Sequence, residues 1–341
     1  MNTLNRRTFV QRAGLAGASL LGLTFGARRA VADPDPPPAA PGAPANTAAG
    51  SAEADVFTFP FGGEDAFVIH DGALSMPGIQ PTFAPEATKE QIESLLKESS
   101  LPSDHVTLSI NVFVLKSASG VILFDAGAGT AFGPSTGKLL RGLARIGAAP
   151  SDVKSIFITH AHPDHICGLV DASSNPVFPS AKIFAAKDEV DFWTSEHPDL
   201  SGMKVPPESR AQALGTTQKT LGAVKGSLEL KSAGRLSPEV ELVAATGHTP
   251  GHSFFKVSRG GDNLLVMGDV VHLFALQFPH PEWTMAFDTV PAQAIKTRRK
   301  LFKDAAAERT TLIGAHMPFP GIGHVRAAGS GYQWVPRPWV I

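Results

Sequence analysis

The segment Thr159-His160-Ala161-His162-Pro163-Asp164-His165 places three of the chain's twelve histidines and an aspartate within seven positions. A solvated turn gains nothing from such a cluster, and a core does not bury it unpaired, so metal binding is the chemistry it suggests. His160 and His162 are two apart on what reads as extended chain, so their side chains point the same way. Pro163 ends that stretch and favours the first turn of a helix, which would carry Asp164 and His165 toward a neighbouring point. Four donors can fill one tetrahedral site. The remaining sequence supplies more: His248 and His252 in Thr246-Gly247-His248-Thr249-Pro250-Gly251-His252, Asp269 after Leu264-Leu265-Val266-Met267-Gly268, and His316 after Thr311-Leu312-Ile313-Gly314-Ala315. Seven or more candidate ligands are too many for one ion and suit two.

The elements that must position these residues read as short apolar strands over 66–72, 108–115, 121–127, 154–160, 181–186, 240–246, 263–269 and 311–316. Helical patterns occupy 88–99, the segment after Pro134, 187–196 and 291–307. Several strands are continuous hydrophobic runs, which indicates burial on both faces and helices packed outside a sheet. Asp125, His160, Asp269 and His316 each fall at the end of such a strand, where a rigid sheet presents chemistry to its loops.

His160-x-His162-x-Asp164-His165, followed in order by His252, Asp269 and His316, resembles the metallo-β-lactamase-fold hydrolases, and Val121-Ile122-Leu123-Phe124-Asp125-Ala126-Gly127 resembles that family's second-strand motif. The likeness runs from about residue 56 to the C-terminus and implies an αββα sandwich with a dinuclear metal site at one edge of its two sheets. By this resemblance His160, His162 and His252 bind one ion, Asp164, His165 and His316 bind a second, and Asp269 bridges them. Asp164 and Asp269 are then the catalytic carboxylates, while Asp125 and His248 support the ligands without binding metal. Two divalent ions side by side can hold a bridging hydroxide near neutral pH and polarise a C=O or P=O group, so hydrolysis of an ester-like bond is implied. Zinc is the default for histidine and aspartate donors, with manganese, iron or cobalt fitting the same cage.

Within the superfamily, residues 131–140, 189–193, 275–278 and 318–336 are similar to stretches of the methyl parathion hydrolase branch. That branch hydrolyses aryl phosphotriesters, and some members open aryl lactones. The resemblance carries Phe132 and Trp193 onto positions lining an aromatic leaving-group pocket, and His272 falls where an aliphatic residue is usual. Residues 205–215 lack the phenylalanine expected as a third wall. The competing expectation is a lactonase acting on acyl-homoserine or other lactones. Lactonases of this fold commonly use a mid-chain tyrosine, whereas the single tyrosine here is Tyr332. A non-hydrolytic metal-binding protein is the more distant alternative. The resemblance also implies a homodimer.

Residues 1–32 hold five arginines and no acid or lysine; without them, 25 basic residues face 31 acidic ones, a balance of −6. An acidic body does not attract a phosphate backbone, which argues against nucleic acid as a partner and against ribonuclease activity. Arg6-Arg7-Thr8-Phe9, a Gly/Ala-rich apolar stretch over 13–27 and Ala30-Val31-Ala32 resemble a twin-arginine export signal with its cleavage site. The expectation is a periplasmic or secreted protein, exported folded and with no membrane anchor once the signal is cleaved. Residues 33–55, rich in Pro and Ala, read as a disordered linker before one hydrolase domain over 56–341. The single cysteine, Cys167, rules out an intrachain disulfide and reads as a small buried residue rather than a ligand.

Overall fold

The computed structural model describes residues 55–338; residues 1–32, expected to be an export signal, and all but the last of residues 33–55, expected to be a linker, lie outside them. Two seven-stranded sheets follow chain order. The first runs β1 (Val56–Phe61), β2 (Glu64–Pro77), β3 (His105–Ser117), β4 (Gly120–Phe124), β5 (Val153–Ile158), β6 (Lys182–Ala186) and β7 (Leu228–Lys231). The second runs β8 (Gly234–Arg235), β9 (Val240–Ala244), β10 (Ser253–Arg259), β11 (Asp262–Val266), β12 (Leu312–Ile313), β13 (Ile322–Ala328) and β14 (Gly331–Pro336). Pairing is antiparallel from β1 to β4 and parallel from β4 to β7, so the later strands of the first sheet all deliver their C-terminal ends to one edge.

Residue alternation decides which face meets which layer. In β3, Val112 and Val114 point to the helical side while Phe113 and Leu115 point to the opposite sheet. Phe113, Phe124, Phe157 and Phe184 are register partners across β3 to β6 and form one row of stacked rings, with centroids 5.2, 5.4 and 4.9 Å apart. Phe255 of β10 meets this row from the other sheet at 5.5 Å from Phe157. Each such pair contributes about 0.5–1.5 kcal/mol beyond its burial.

Helices cover both outer faces. On the first sheet lie α2 (Leu139–Arg145), α4 (Lys187–Thr194) and α5 (Pro207–Ala223), with the one-turn α3 (Pro163–Ile166) beside them. On the second lies α7 (Pro291–Glu308), whose Leu301, Phe302 and Ala305 pack on Phe254, Leu265 and Leu312. A satellite core joins α1 (Lys89–Glu98) and α6 (Phe274–Gln277) through Leu96, Leu276 and Trp283. This is the expected αββα sandwich. Strands read at 121–127, 154–160, 263–269 and 311–316 end earlier than their apolar pattern, because the chain turns there to expose the polar residue that follows.

Candidate metal centre

Each candidate ligand emerges where a strand gives way to a turn. Asp125 follows β4 in a left-handed backbone conformation, φ 64°, which a short polar side chain tolerates best. Its carboxylate accepts from the Thr159 amide at 2.7 Å, the Thr159 hydroxyl at 2.8 Å and His165 Nδ1 at 2.8 Å. His162 is the N-cap of α3 and Pro163 its first residue, so the chain turns from strand to helix between the two histidine pairs.

Two groups of donors result, each with its ligand atoms within 4.8 Å of one another: His160, His162, His248 and Asp269, and Asp164, His165, Asp269 and His316. All are buried, and Asp269 belongs to both. In the first group His162 Nδ1 lies 3.0 Å from His160 Nε2 and 2.8 Å from His248 Nε2. His160 donates its Nδ1–H to Thr159 Oγ1, and His248 donates its own to Asp288 Oδ1 at 2.9 Å. Both Nε2 atoms therefore present lone pairs to the same point. In the second group His165 Nδ1–H is committed to Asp125 and His316 Nδ1–H to the Ser109 carbonyl. His165 Nε2 is buried with no hydrogen-bond partner, 3.1 Å from Asp269 Oδ1, which also lacks one. His316 Nε2 is 3.1 Å from Asp269 Oδ2 and 3.3 Å from Asp164 Oδ2.

Converging lone pairs and carboxylates repel unless a proton or a cation sits among them, and the donor sets, three nitrogens with one oxygen and two with two, suit divalent metal ions. In the first group the protonation balance agrees, while in the second the pull of burial is overcome by the facing carboxylates, which raise His165 and His316. Burial, reinforced by neighbouring imidazoles, holds His160, His162 and His248 well below the ordinary histidine range, leaving them neutral as ligands must be. Burial alone would raise Asp269, but His165, His316 and the other histidines around it hold it well below the usual carboxylate range.

One expected ligand is displaced by its neighbour. His252 uses both ring nitrogens locally: Nδ1–H donates to the Ala245 carbonyl at 3.1 Å, and Nε2 accepts the Asp269 amide at 3.0 Å. It stands at the entrance to β10, behind the backbone of Asp269, where Gly268 passes so closely that a Cβ there would lie 2.4 Å from His252 Nε2. Burial pulls its pKa down to about 4, consistent with an accepting Nε2. His248, expected to support the ligands, takes the place among them instead.

The groups open onto a cavity of about 460 Å³. Leu74, Met76, Leu108, Met203 and Phe287 line it, with Ser209, Gln212 and Thr216 of α5 on one side. Phe132, 42% exposed, is on its rim, and His272 is in its wall, Nε2 3.0 Å from Asp269 Oδ2 and ring stacked on His316. Trp193 does not line it. The indole is fully buried behind His162, edge-on at 5.4 Å, and donates Nε1–H to Glu189. Cys167 is buried beside Thr220, outside both donor groups, and burial pushes its thiol up to about 11.

Two carboxylates carry much of this geometry without belonging to any ligand motif. Glu189, 1% exposed, accepts four hydrogen bonds, and Asp288, fully buried, orients His248 while accepting the Met285 amide. Burial pushes both upward, opposed by their donors for Glu189 and first by Arg298 for Asp288.

The metallo-β-lactamase superfamily profile matches residues 105–316, and the chain belongs to that superfamily. A search of the curated proteins finds no match. Among solved structures, the chain is similar to AidC, a dizinc quorum-quenching lactonase in complex with a product N-hexanoyl-L-homoserine: TM-score 0.81, 29% identity, covering 84% of this chain and 99% of that one. It is similar also to the hydrolase AbOPH in the β-lactamase superfamily, with TM-score 0.76 and 30% identity over 84% of this chain and 98% of that one. A probable metal-dependent hydrolase from Staphylococcus aureus shares the fold at TM-score 0.64 and 19% identity, covering 81% and 98%. The protein is a metal-dependent hydrolase with two groups of side chains for two divalent ions.

Proposed function

We propose that the enzyme opens lactones bearing an apolar substituent, using two ions for which zinc is the leading candidate. The observation that carries this reading is the cavity itself: apolar walls beside the two donor groups, and no lysine or arginine among the described residues lining it. An anionic substrate would find no counter-charge there beyond the ions, so a neutral one is favoured. The likeness to AidC, whose structure holds a lactonase product, supports a lactone among neutral substrates.

When bound, the ions would lower the pKa of a water and polarise the carbonyl under attack. The chain's own residues do the rest. His160, His162 and His248 would hold one ion, Asp164, His165 and His316 the other, and Asp269 would touch both. Asp125, Asp288 and the Ser109 carbonyl fix the tautomers. No tyrosine lines the cavity, and His272 is the polar side chain placed in the wall beside Asp269 to meet a substrate oxygen. The apolar walls receive the substituent.

A second reading, an aryl phosphotriester as expected of the methyl parathion hydrolase branch, is favoured by Phe132 and Phe287, two aromatic side chains at the cavity. The test is kcat/KM for an acyl-homoserine lactone, dihydrocoumarin and methyl parathion on one preparation. The lactone reading predicts that a lactone exceeds methyl parathion by at least about tenfold, a difference of about 1.4 kcal/mol in transition-state binding; the reverse order would establish the phosphotriester reading. We also propose export through residues 1–32, checked by fractionating cells that express the full chain and sequencing the N-terminus of the mature protein; a cytoplasmic, uncleaved chain overturns it.

A further inference from the structure

We propose that Glu189 is a positioning residue for the first ion's ligands: it clasps the His160–His162 segment to the turn that carries His248. The proposal rests on the two-ion reading of the site. Glu189 is in the first turn of α4, outside every ligand motif, yet its carboxylate reaches both ligand-bearing loops. Oε1 accepts the amide of Ala161, the residue between His160 and His162, at 2.8 Å, and the Trp193 indole N–H at 2.8 Å. Oε2 accepts the Thr249 hydroxyl at 2.6 Å and the Gly251 amide at 2.9 Å, both within the turn that follows His248. The other end of the Ala161 residue is held as well, since its carbonyl accepts Thr217 Oγ1–H at 2.9 Å from α5.

Three features make this more than a buried carboxylate that has found partners. Three of the four partners, the Ala161 and Gly251 amides and the Trp193 indole, can only donate, so a carboxylate accepts on both oxygens, whereas a glutamine would turn its NH₂ toward at least one N–H group. Trp193, which the clasp holds, backs the His162 ring edge-on. The loops also approach α4 too closely for another arrangement: a Cβ on Gly251 would lie 2.1 Å from the Glu189 backbone nitrogen. Among the second group, Asp164 and His165 come from α3, and Asp125 and Ser109 set the tautomers of His165 and His316, with no bond to Glu189. The clasp therefore acts on one ion's ligands and spares the other's.

The test is stepwise metal affinity, measured by titrating metal-free protein with Co(II) against a competing chelator. His248→Ala and His316→Ala each delete one of two steps and so assign them. Glu189→Gln is expected to weaken the His248-dependent step by about 10–100-fold while moving the His316-dependent step by less than about threefold. If Glu189→Gln does not fold, Thr249→Val removes one donor and leaves the carboxylate, with a smaller loss at the same step. Leu221→Ala, in the core under α5, supplies a variant of comparable lowered Tm with both steps intact. The proposal is overturned if both steps move together, if neither moves, or if Leu221→Ala shifts the first step as Glu189→Gln does. Wild-type protein showing a single step would instead sink the two-ion reading.

Discussion

Asp288→Asn tests the site through a residue that touches no proposed ion. Asp288 is fully buried and divides its carboxylate between two donors, His248 Nδ1–H on Oδ1 at 2.9 Å and the Met285 amide on Oδ2 at 3.2 Å. An asparagine has one acceptor for these two donors. With its oxygen toward His248, its NH₂ faces the Met285 amide. With the groups reversed, the NH₂ faces Nδ1, and the imidazole must move its proton to Nε2, the atom aimed at His162 and Asp269. The first arrangement forfeits a buried hydrogen bond worth about 1–3 kcal/mol, and the second keeps both bonds but removes the lone pair that would hold the ion. Arg298 keeps its three carbonyl acceptors, Val270, Pro281 and Trp283, but loses the Asp288 charge 4.0 Å away, so some loss of Tm accompanies the change. The expected effect is a 10–100-fold weaker first ion, about 1.4–2.8 kcal/mol, with the second unchanged. Chelator-competition titration reads the affinity, and lactone hydrolysis at rising metal concentration reads the consequence: activity lost at low metal and recovered at high metal. An unchanged first-ion affinity would refute the reasoning, whatever the activity.

Asp269→Asn removes the carboxylate common to both groups, and activity should fall by at least about a hundredfold while circular dichroism stays native. Phe157→Ala breaks the ring row between the sheets and should lower the unfolding free energy by about 3–5 kcal/mol in denaturant titration, with metal stoichiometry unchanged. In the metal-free protein, burial pulls His316 down but Asp269 and Asp164 lift it to about 10 from an ordinary 6.5. A raised folded-state value gives stability that is complete below the unfolded value and lost as pH rises through the folded one. The Tm of chelated protein should therefore fall between pH 6.5 and pH 10, and metal loading should flatten that fall by displacing the proton; a chelated Tm independent of pH over this window contradicts the reading.

Much of the centre is visible in the chain because its chemistry is local. His160, His162, Asp164 and His165 sit on one strand-to-helix junction, and the proline between the pairs marks the turn. Asp125, Asp269 and His316 follow apolar runs that can hardly be other than strands. The choice between His248 and His252 was not legible, since it depends on where β10 begins and on Gly268 lying against one ring. Glu189 and Asp288 belong to no ligand motif, because the ligand-bearing loops they hold are 28 to 62 positions from Glu189 and 40 from Asp288. Trp193 shows why aromatic residues near a motif are ambiguous: its ring supports a ligand from behind rather than facing the cavity. Helix α5 also escaped notice, since Thr217, Thr220 and Leu221 bury a face that carries no apolar stripe.

The central claim, that two ions are held with His248 rather than His252 among the ligands, is tested most directly by metal content per chain in wild type, His248→Ala and His252→Ala. The expected result is two ions in the wild type, one in His248→Ala and two, held more weakly, in His252→Ala, where the Asp269 amide loses its acceptor and the Ala245 carbonyl its donor. Two ions retained by His248→Ala together with one lost from His252→Ala would contradict it.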